Sequence, residues 1–311
     1  MMPPATVSVI STVYNEVGGI ERMVRALFEQ TRRPDEIIIC DAGSTDGTLE
    51  ILERLRAEDS ILRVVRAPGN RSAGRNAAIR AAGGSIIACT DGGCRADSVW
   101  LERLTRPFAE GARVVGGFYR PVGPTALSTA IGLVMVYVEE EAAGPGFIPS
   151  ARSLAFEHTV FDIVGGFPEE VEFAEDTLFM ERVVAAGIPW VRALDATVAW
   201  EPPATFSQLA RTSFRWGRGD GEAGLRGWAF KRLLTIYVVI PVLVATLGFI
   251  TPWAMAPAAA IPIVDGLRRT RYKYRGADRR TALLVPLAHL VSTYTSLAGF
   301  LVGRRDRLAR T

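Results

Sequence analysis

Two periods alternate through the first hundred residues. Val7 to Ile10 reads as a strand, and Ile20, Met23, Val24, Leu27 and Phe28 then recur at i, i+3, i+4, i+7 and i+8, one face of a helix. Glu36 to Cys40 reads as a second strand. Ser44-Thr45-Asp46 follows with oxygens suited to a helix cap, ahead of a helix that should bury Leu49, Leu52 and Leu55. Leu62 to Val65, the alanine-rich Ala73 to Ala82, and Ser85 to Thr90 continue the alternation. Such β-α-β order implies an α/β fold with a mostly parallel sheet flanked by helices. Ligands of such sheets bind at the carboxyl ends of strands, where Asp41 and Asp91 fall. From Gly111 to Trp200 the pattern is less regular, with a Pro/Gly-rich loop around Gly144 to Pro149 and a helix from Glu175 to Ala186.

The pattern then becomes continuous. Leu233 to Ile250 is 18 residues without a charge, Trp253 to Val264 is a shorter apolar run, and Thr281 to Gly303 is 23 residues whose only ionisable group is His289. A bilayer takes roughly 20 residues to span, so these segments predict a C-terminal region of transmembrane or interfacial helices. Their prolines are better tolerated there than in long soluble helices. The expected division is a globular domain over 1–228 and membrane helices with a basic loop over 229–311. A hairpin turning near Thr251-Pro252 keeps Lys231 and the Arg268 to Arg280 cluster on the cytoplasmic side. A further span would export the final arginines, so Thr281 to Gly303 either lies along the interface, is re-entrant, or overrides that preference.

The chain of 311 residues carries a net charge of only +3, unevenly spread. Arg268, Arg269, Arg271, Lys273, Arg275, Arg279 and Arg280 crowd one stretch beside apolar runs, which suits anionic lipid headgroups rather than nucleic acid. Cys40, Cys89 and Cys94 form no CxxC pair and lie far from His158 and His289, so zinc-site spacing is absent and three reduced thiols are expected. No basic leader precedes the first apolar run, which argues against a secretory signal.

The chemistry-bearing residues sit at strand ends. Tyr14, Asn15 and Glu16 follow the first strand, and Asp41 ends the second. A carboxylate there can accept the imide N–H of a base, or can organise the turn with Ser44 and Asp46. Asp91 leaves the strand ending at Thr90 and is followed by Gly92 and Gly93, which permit close backbone approach to a diphosphate. No G-x-G-x-x-G follows the first strand, which disfavours a Rossmann dehydrogenase.

Taken together and in order, VSVISTVYNE, DAGSTDGT, GNRSAGRNAAI, ACTDGG, GGFPEEVEFAEDTLF and FRWGRG resemble the inverting family 2 nucleotide-sugar glycosyltransferases, over roughly residues 5–220. The resemblance implies a GT-A type domain. Asp41 would bind the base, and Thr12, standing where the family pattern has proline, would line the nucleotide site with Tyr14 and Glu16. Arg75 would lie near the donor phosphates or brace the sheet end. Asp91 answers to the first Asp of the family's Asp-X-Asp motif, but Gly93 replaces the second, so Asp91 alone would hold any Mg²⁺ or Mn²⁺. Glu175 and Asp176 match the family's Glu-Asp pair, with Asp176 the base and Glu175 on the acceptor side. Arg152 and Ser153 could reach acceptor or diphosphate. Arg215 and Trp216 match the end of the Gln-X-X-Arg-Trp motif of processive members, with Thr212 in place of Gln, and would line the acceptor or phosphate side. The implied activity is transfer of a hexose-type sugar from a nucleoside diphosphate sugar to a lipid-linked or membrane-proximal acceptor. The expected location is the inner membrane with the catalytic domain facing the cytoplasm. The alternative is a catalytically silent, nucleotide-binding membrane scaffold.

Overall fold

The structure, a computed structural model, describes residues 5–248, 255–275 and 277–309. In chain order its elements are β1 (Val7–Val13), α1 (Ile20–Phe28), β2 (Glu36–Asp41), α2 (Thr48–Glu58), β3 (Leu62–Arg66), α3 (Arg71–Ala81), β4 (Ile86–Cys89), β5 (Cys94–Ala96), α4 (Trp100–Thr105) and β6 (Val114–Pro121). There follow α5 (Ala126–Met135), α6 (Glu139–Ala142), β7 (Leu154–Glu157), α7 (His158–Val164), α8 (Glu175–Ala185), β8 (Trp190–Trp200), α9 (Phe206–Ala223), α10 (Gly227–Leu234), α11 (Ile240–Gly248), α12 (Met255–Thr270) and α13 (Arg279–Leu308). They form two compact units, Met1–Arg120 with Ala142–Glu201, and Pro121–Glu141 with Pro202–Thr311.

The first unit holds one eight-stranded sheet in the order β3-β2-β1-β4-β7-β6-β8-β5. β3, β2, β1 and β4 are parallel, as the alternating periods predict. Beyond β4 the sheet changes direction: β7 runs antiparallel to β4, and β6 antiparallel to β7. The sheet is therefore mixed rather than mostly parallel, because the irregular stretch after Gly111 supplies strands instead of further β-α-β units. Alternate residues of β1 and β2 feed opposite faces. Val7, Val9, Ile37 and Ile39 pack with Met23, Val24, Leu27, Leu52 and Trp100 on one face. Ile10, Ile38 and Ile87 pack with Ala78, Ile79, Phe156 and Phe179 on the other. α1 buries Ile20, Met23, Val24 and Leu27, each contributing about 1.5–3 kcal/mol by removal from water. Leu49 of α2 is only half-buried, and Thr48 is buried with Leu52 and Leu55 instead. The cap of α2 is Gly47 in the left-handed region at φ 100°. Asp46 serves that end from one residue earlier, accepting from the Thr48 N–H and hydroxyl.

In the second unit, α9 and α13 meet backbone to backbone. A Cβ on Gly217 or Gly221 would run into the carbonyl oxygens of Ser296 and Phe300, and one on Gly299 or Gly303 into those of Phe214 and Arg218. Ser213 Oγ lies 3.0 Å from Ser292 Oγ across the same seam. Ile131 of α5, Leu209 of α9 and Ala288 of α13 form an apolar cluster beside it. This seam groups α9 with the C-terminal helices, where the sequence puts the dividing line at 228. Several residues of the basic stretch are used internally. Lys273 donates to the Val136 carbonyl (2.7 Å) and to Glu141 (2.9 Å), Arg275 pairs with Glu140 (3.2 Å), and Arg269 with Asp265 (2.6 Å). Two segments, Gly227–Thr246 and Arg279–Leu308, are long and apolar enough to cross a membrane by length and composition. The turn expected near Thr251-Pro252 lies outside the described residues.

Candidate functional site

The register of the sheet brings three strand ends together. Val13 of β1 sits beside Asp41 of β2, and Ile10 of β1 beside Cys89 of β4, so the loops carrying Tyr14 to Glu16, Ala42 to Gly47 and Asp91 to Gly93 leave the sheet on one edge. Because β7 is antiparallel to β4 and pairs Leu154 with Cys89, the chain enters β7 at that same edge, which brings in Arg152. β8 ends there too, with Trp200 opposite Cys94. Between these loops lies a cavity of about 470 Å³, within the size range of ligand sites.

Thr12, Tyr14, Glu16, Asp91 and Arg152, all singled out from the sequence, line this cavity. Asp91 meets two guanidiniums there. Its Oδ1 accepts from Arg75 Nη2 at 2.7 Å, and its Oδ2 is 4.0 Å from Arg152 Nε. Burial alone would raise the Asp91 carboxyl, but the guanidiniums of Arg75, Arg152 and Arg71, with the bond from Arg75, hold it below the usual carboxylate range. Glu16 is shifted the other way: burial first, then the charges of Asp46 and Asp91, raise its carboxyl. Gly93 has φ +77°, a conformation that glycine adopts without strain, and a Cβ on Gly92 would come within 3.2 Å of Glu16 Cγ and 3.3 Å of Val13 Cγ1, a tight fit.

Arg75 is placed as a brace, the second of its two expected roles. Its side chain is 0% exposed and bridges Asp91 to Glu175 Oε1 (3.0 Å), with its guanidinium 4.8 Å from the centre of the Phe167 ring. Glu175 accordingly turns inward, 5% exposed. Asp41 is likewise buried, and its carboxylate accepts from the Ser44 N–H (3.1 Å) and hydroxyl (2.6 Å), the turn-organising role. Ser153 is buried and committed, accepting from Trp100 Nε1 and donating to the Ala196 carbonyl. Asp176 is half-buried in the first turn of α8, three residues beyond Phe173 of the cavity wall. Its charge is felt at both Arg75 and Arg152, adding to the carboxylates that raise them. The residue before α8, Ala174, has φ +68°, a costly conformation for a residue with a Cβ. Arg215, exposed, and Trp216, half-buried, lie on α9 in the second unit, whereas the cavity is built from the first.

The sequence pointed past several contributors. Asn70 caps α3 by accepting from Ala73 N, and its amide donates to the Glu169 and Val171 carbonyls, tying down the loop that leads to Asp176. Arg71 lines the cavity 3.6 Å from Glu175. Its spacing of four from Arg75 puts both on one helix face, a signal the sequence does carry. Trp200 and Tyr119, whose rings lie 5.1 and 4.9 Å from the Arg152 guanidinium, come from strands the pattern does not reveal.

A divalent cation at a diphosphate site is held by one or two free carboxylates, with waters and substrate phosphates completing its shell. Among the described residues no three of His, Cys, Asp and Glu gather to hold one. Asp91 has one oxygen engaged by Arg75 and the other beside Arg152, and Gly93 brings none. The residues present do not fit a protein-built cation site.

Residues 8–138 match the family described as glycosyl transferase family 2. The chain is 29% identical to the glycosyltransferase AglE of Haloferax volcanii over 252 residues, 78% of this chain and 81% of that protein. It is 31% identical to the uncharacterized glycosyltransferase EpsJ of Bacillus subtilis over 186 residues, 56% of this chain and 54% of that protein. Among solved structures it is similar to the mannosyltransferase PcManGT from Pyrobaculum calidifontis, in complex with GDP-Man and Mn²⁺. That likeness has a TM-score of 0.58 at 20% identity and covers 99% of this chain and 88% of the other. These likenesses do not favour a silent scaffold. With the mixed sheet and the edge on which its loops converge, they identify a glycosyltransferase of GT-A type fold whose residues 8–138 match glycosyl transferase family 2.

Proposed function

We propose that this enzyme moves one hexose-type sugar from a nucleoside diphosphate sugar to a lipid-linked or membrane-proximal acceptor, with inversion at the anomeric carbon. The observation that carries the reading is the cavity at the carboxyl edge of β1, β2 and β4, lined by Tyr14, Glu16, Asp91 and Arg152. The nucleoside lies along Thr12, Tyr14 and the loop after Asp41, with Asp41 setting that loop's shape. Asp91 orients the ribose and diphosphate end of the donor. The acceptor oxygen attacks the anomeric carbon from the side opposite the diphosphate as the bond to the leaving oxygen breaks. The nucleoside diphosphate departs with the electron pair. A hydroxyl acceptor gives its proton to Asp176, the general base, and rate enhancement comes mainly from positioning and from stabilising charge on the leaving group.

The two long apolar helices and the basic residues near them support a membrane setting with the catalytic unit on the cytoplasmic side. The test uses the full chain in detergent, a panel of nucleotide-sugars and a membrane lipid extract, with release of nucleoside diphosphate as the signal. Release from at least one donor is expected, falling about 10²- to 10⁴-fold in Asp176→Asn. No release from any donor, or undiminished release by the variant, overturns the reading.

A further inference from the structure

The disagreement between the family's cation and this chain's residues has a constructive side. A leaving diphosphate needs positive charge, and in this cavity the positive charge is guanidinium. Arg75 is buried and consumed by Asp91 and Glu175. Arg71 and Arg152 are differently placed: both line the cavity, on opposite sides of Asp91 in the chain, one from the first turn of α3 and one from the entry to β7. Arg152 is 16% exposed, with its guanidinium 4.9 Å from the Tyr119 ring and 5.1 Å from the Trp200 ring, so its position is fixed by packing rather than by a flexible stem. Arg71 is 43% exposed, 5.8 Å from the Phe173 ring and 3.6 Å from Glu175.

A planar fork of N–H donors matches phosphate oxygens two at a time, and it needs no oxygen ligands from the protein. Asp91 cannot easily serve a cation while its two oxygens face Arg75 and Arg152. Its role is then to hold the Arg152 fork at the cavity wall and to meet the ribose. We propose that Arg71 and Arg152 bind and neutralise the donor's diphosphate, so that donor binding does not depend on a divalent cation. This rests on the donor reading given above and names the groups that act within it.

The test is calorimetric titration of the full chain in detergent with UDP, GDP and TDP, each in excess EDTA and again with Mn²⁺. At least one nucleotide is expected to bind, with the same affinity after chelation. Arg152→Ala and Arg71→Ala should each weaken that diphosphate about tenfold or more while leaving the affinity for the corresponding nucleoside unchanged. Arg152→Lys should recover part of the loss, because it keeps the charge without the fork. Should Arg152→Ala fail to fold, Arg71→Ala, at a half-exposed position, decides alone. The proposal is overturned if chelation abolishes binding, or if both alanine variants bind the diphosphate like the parent. Failure of all three nucleotides under both conditions overturns the donor reading itself, which is a distinguishable result.

Discussion

Arg75 is one guanidinium shared between two carboxylates that come from different parts of the chain, Asp91 after β4 and Glu175 at the start of α8. It touches no lining surface of the cavity, yet it sets where Asp91 points and where α8 begins. Arg75→Met removes one member of a buried ion network and leaves two carboxylates facing each other, so a loss of about 3–5 kcal/mol in unfolding free energy is expected. A denaturant titration measures it, and a loss under 1 kcal/mol would contradict the bridging role. Glu16 offers a pH signature. Its carboxyl is raised by burial and by Asp46 and Asp91. The folded state therefore holds its proton more tightly than the unfolded chain, and stability from this group declines as pH rises from the ordinary value of 4.5 through the folded value. Glu16→Gln should raise the melting temperature at neutral pH, and the gain should vanish below pH 4.5. A gain that persists or grows in acid would contradict the assignment. Asp91 obeys the opposite sign: its support is present at neutral pH and is lost as pH falls through its depressed folded value.

Among the elements, α3 does the most to assemble the site. Its cap residue Asn70 and its interior Asn76 both hold the stretch from Phe167 to Val171, Asn76 through the Phe167 carbonyl and N–H. Asn70→Ala loses a cap, worth about 1 kcal/mol, and also frees the loop leading to Asp176. The expected result is a larger fall in turnover than in stability, read from nucleoside diphosphate release beside a melting curve. How legible these elements were depended on what wrote them. β1 to β4 and α1 to α3 were legible because burial on one or two faces imposes a period on the chain. β6, β7 and β8 were not, since antiparallel strands joined through long loops leave no β-α-β rhythm. The same divide separates Asp91 and Glu16, visible at the ends of patterned strands, from Tyr119 and Trp200, which reach Arg152 only through pairing across the sheet. The inward turn of Glu175 was illegible for another reason: one letter of sequence does not say which partner a carboxylate will find. In the second unit, α9 and α13 touch where glycines face each other. Gly299→Ala places a methyl against the Phe214 carbonyl, and a destabilisation of about 1–3 kcal/mol follows from overpacking.

For the whole molecule, the apolar helices Gly227–Thr246 and Arg279–Leu308 predict behaviour on fractionation. The full chain should sediment with membranes, resist extraction by high salt or alkaline carbonate, and require detergent for release. Release by salt alone would mean attachment through charge at the surface. The basic stretch that suggested such attachment is partly spent on Glu140, Glu141 and Asp265, so removing Arg275 or Lys273 should loosen the second unit before it weakens lipid affinity. One feature of the sheet reaches furthest. Leu154 lies beside Cys89, and a strand presents alternate side chains to opposite sides. Four rungs hold that arrangement: slide β7 by a single rung and Leu154 and Phe156 trade core faces with Ala155, and the turn that carries Arg152 moves along the cavity edge with them. A single residue inserted within β7 would therefore disturb both core faces and shift Arg152 along the cavity edge, with every acidic group of the site intact.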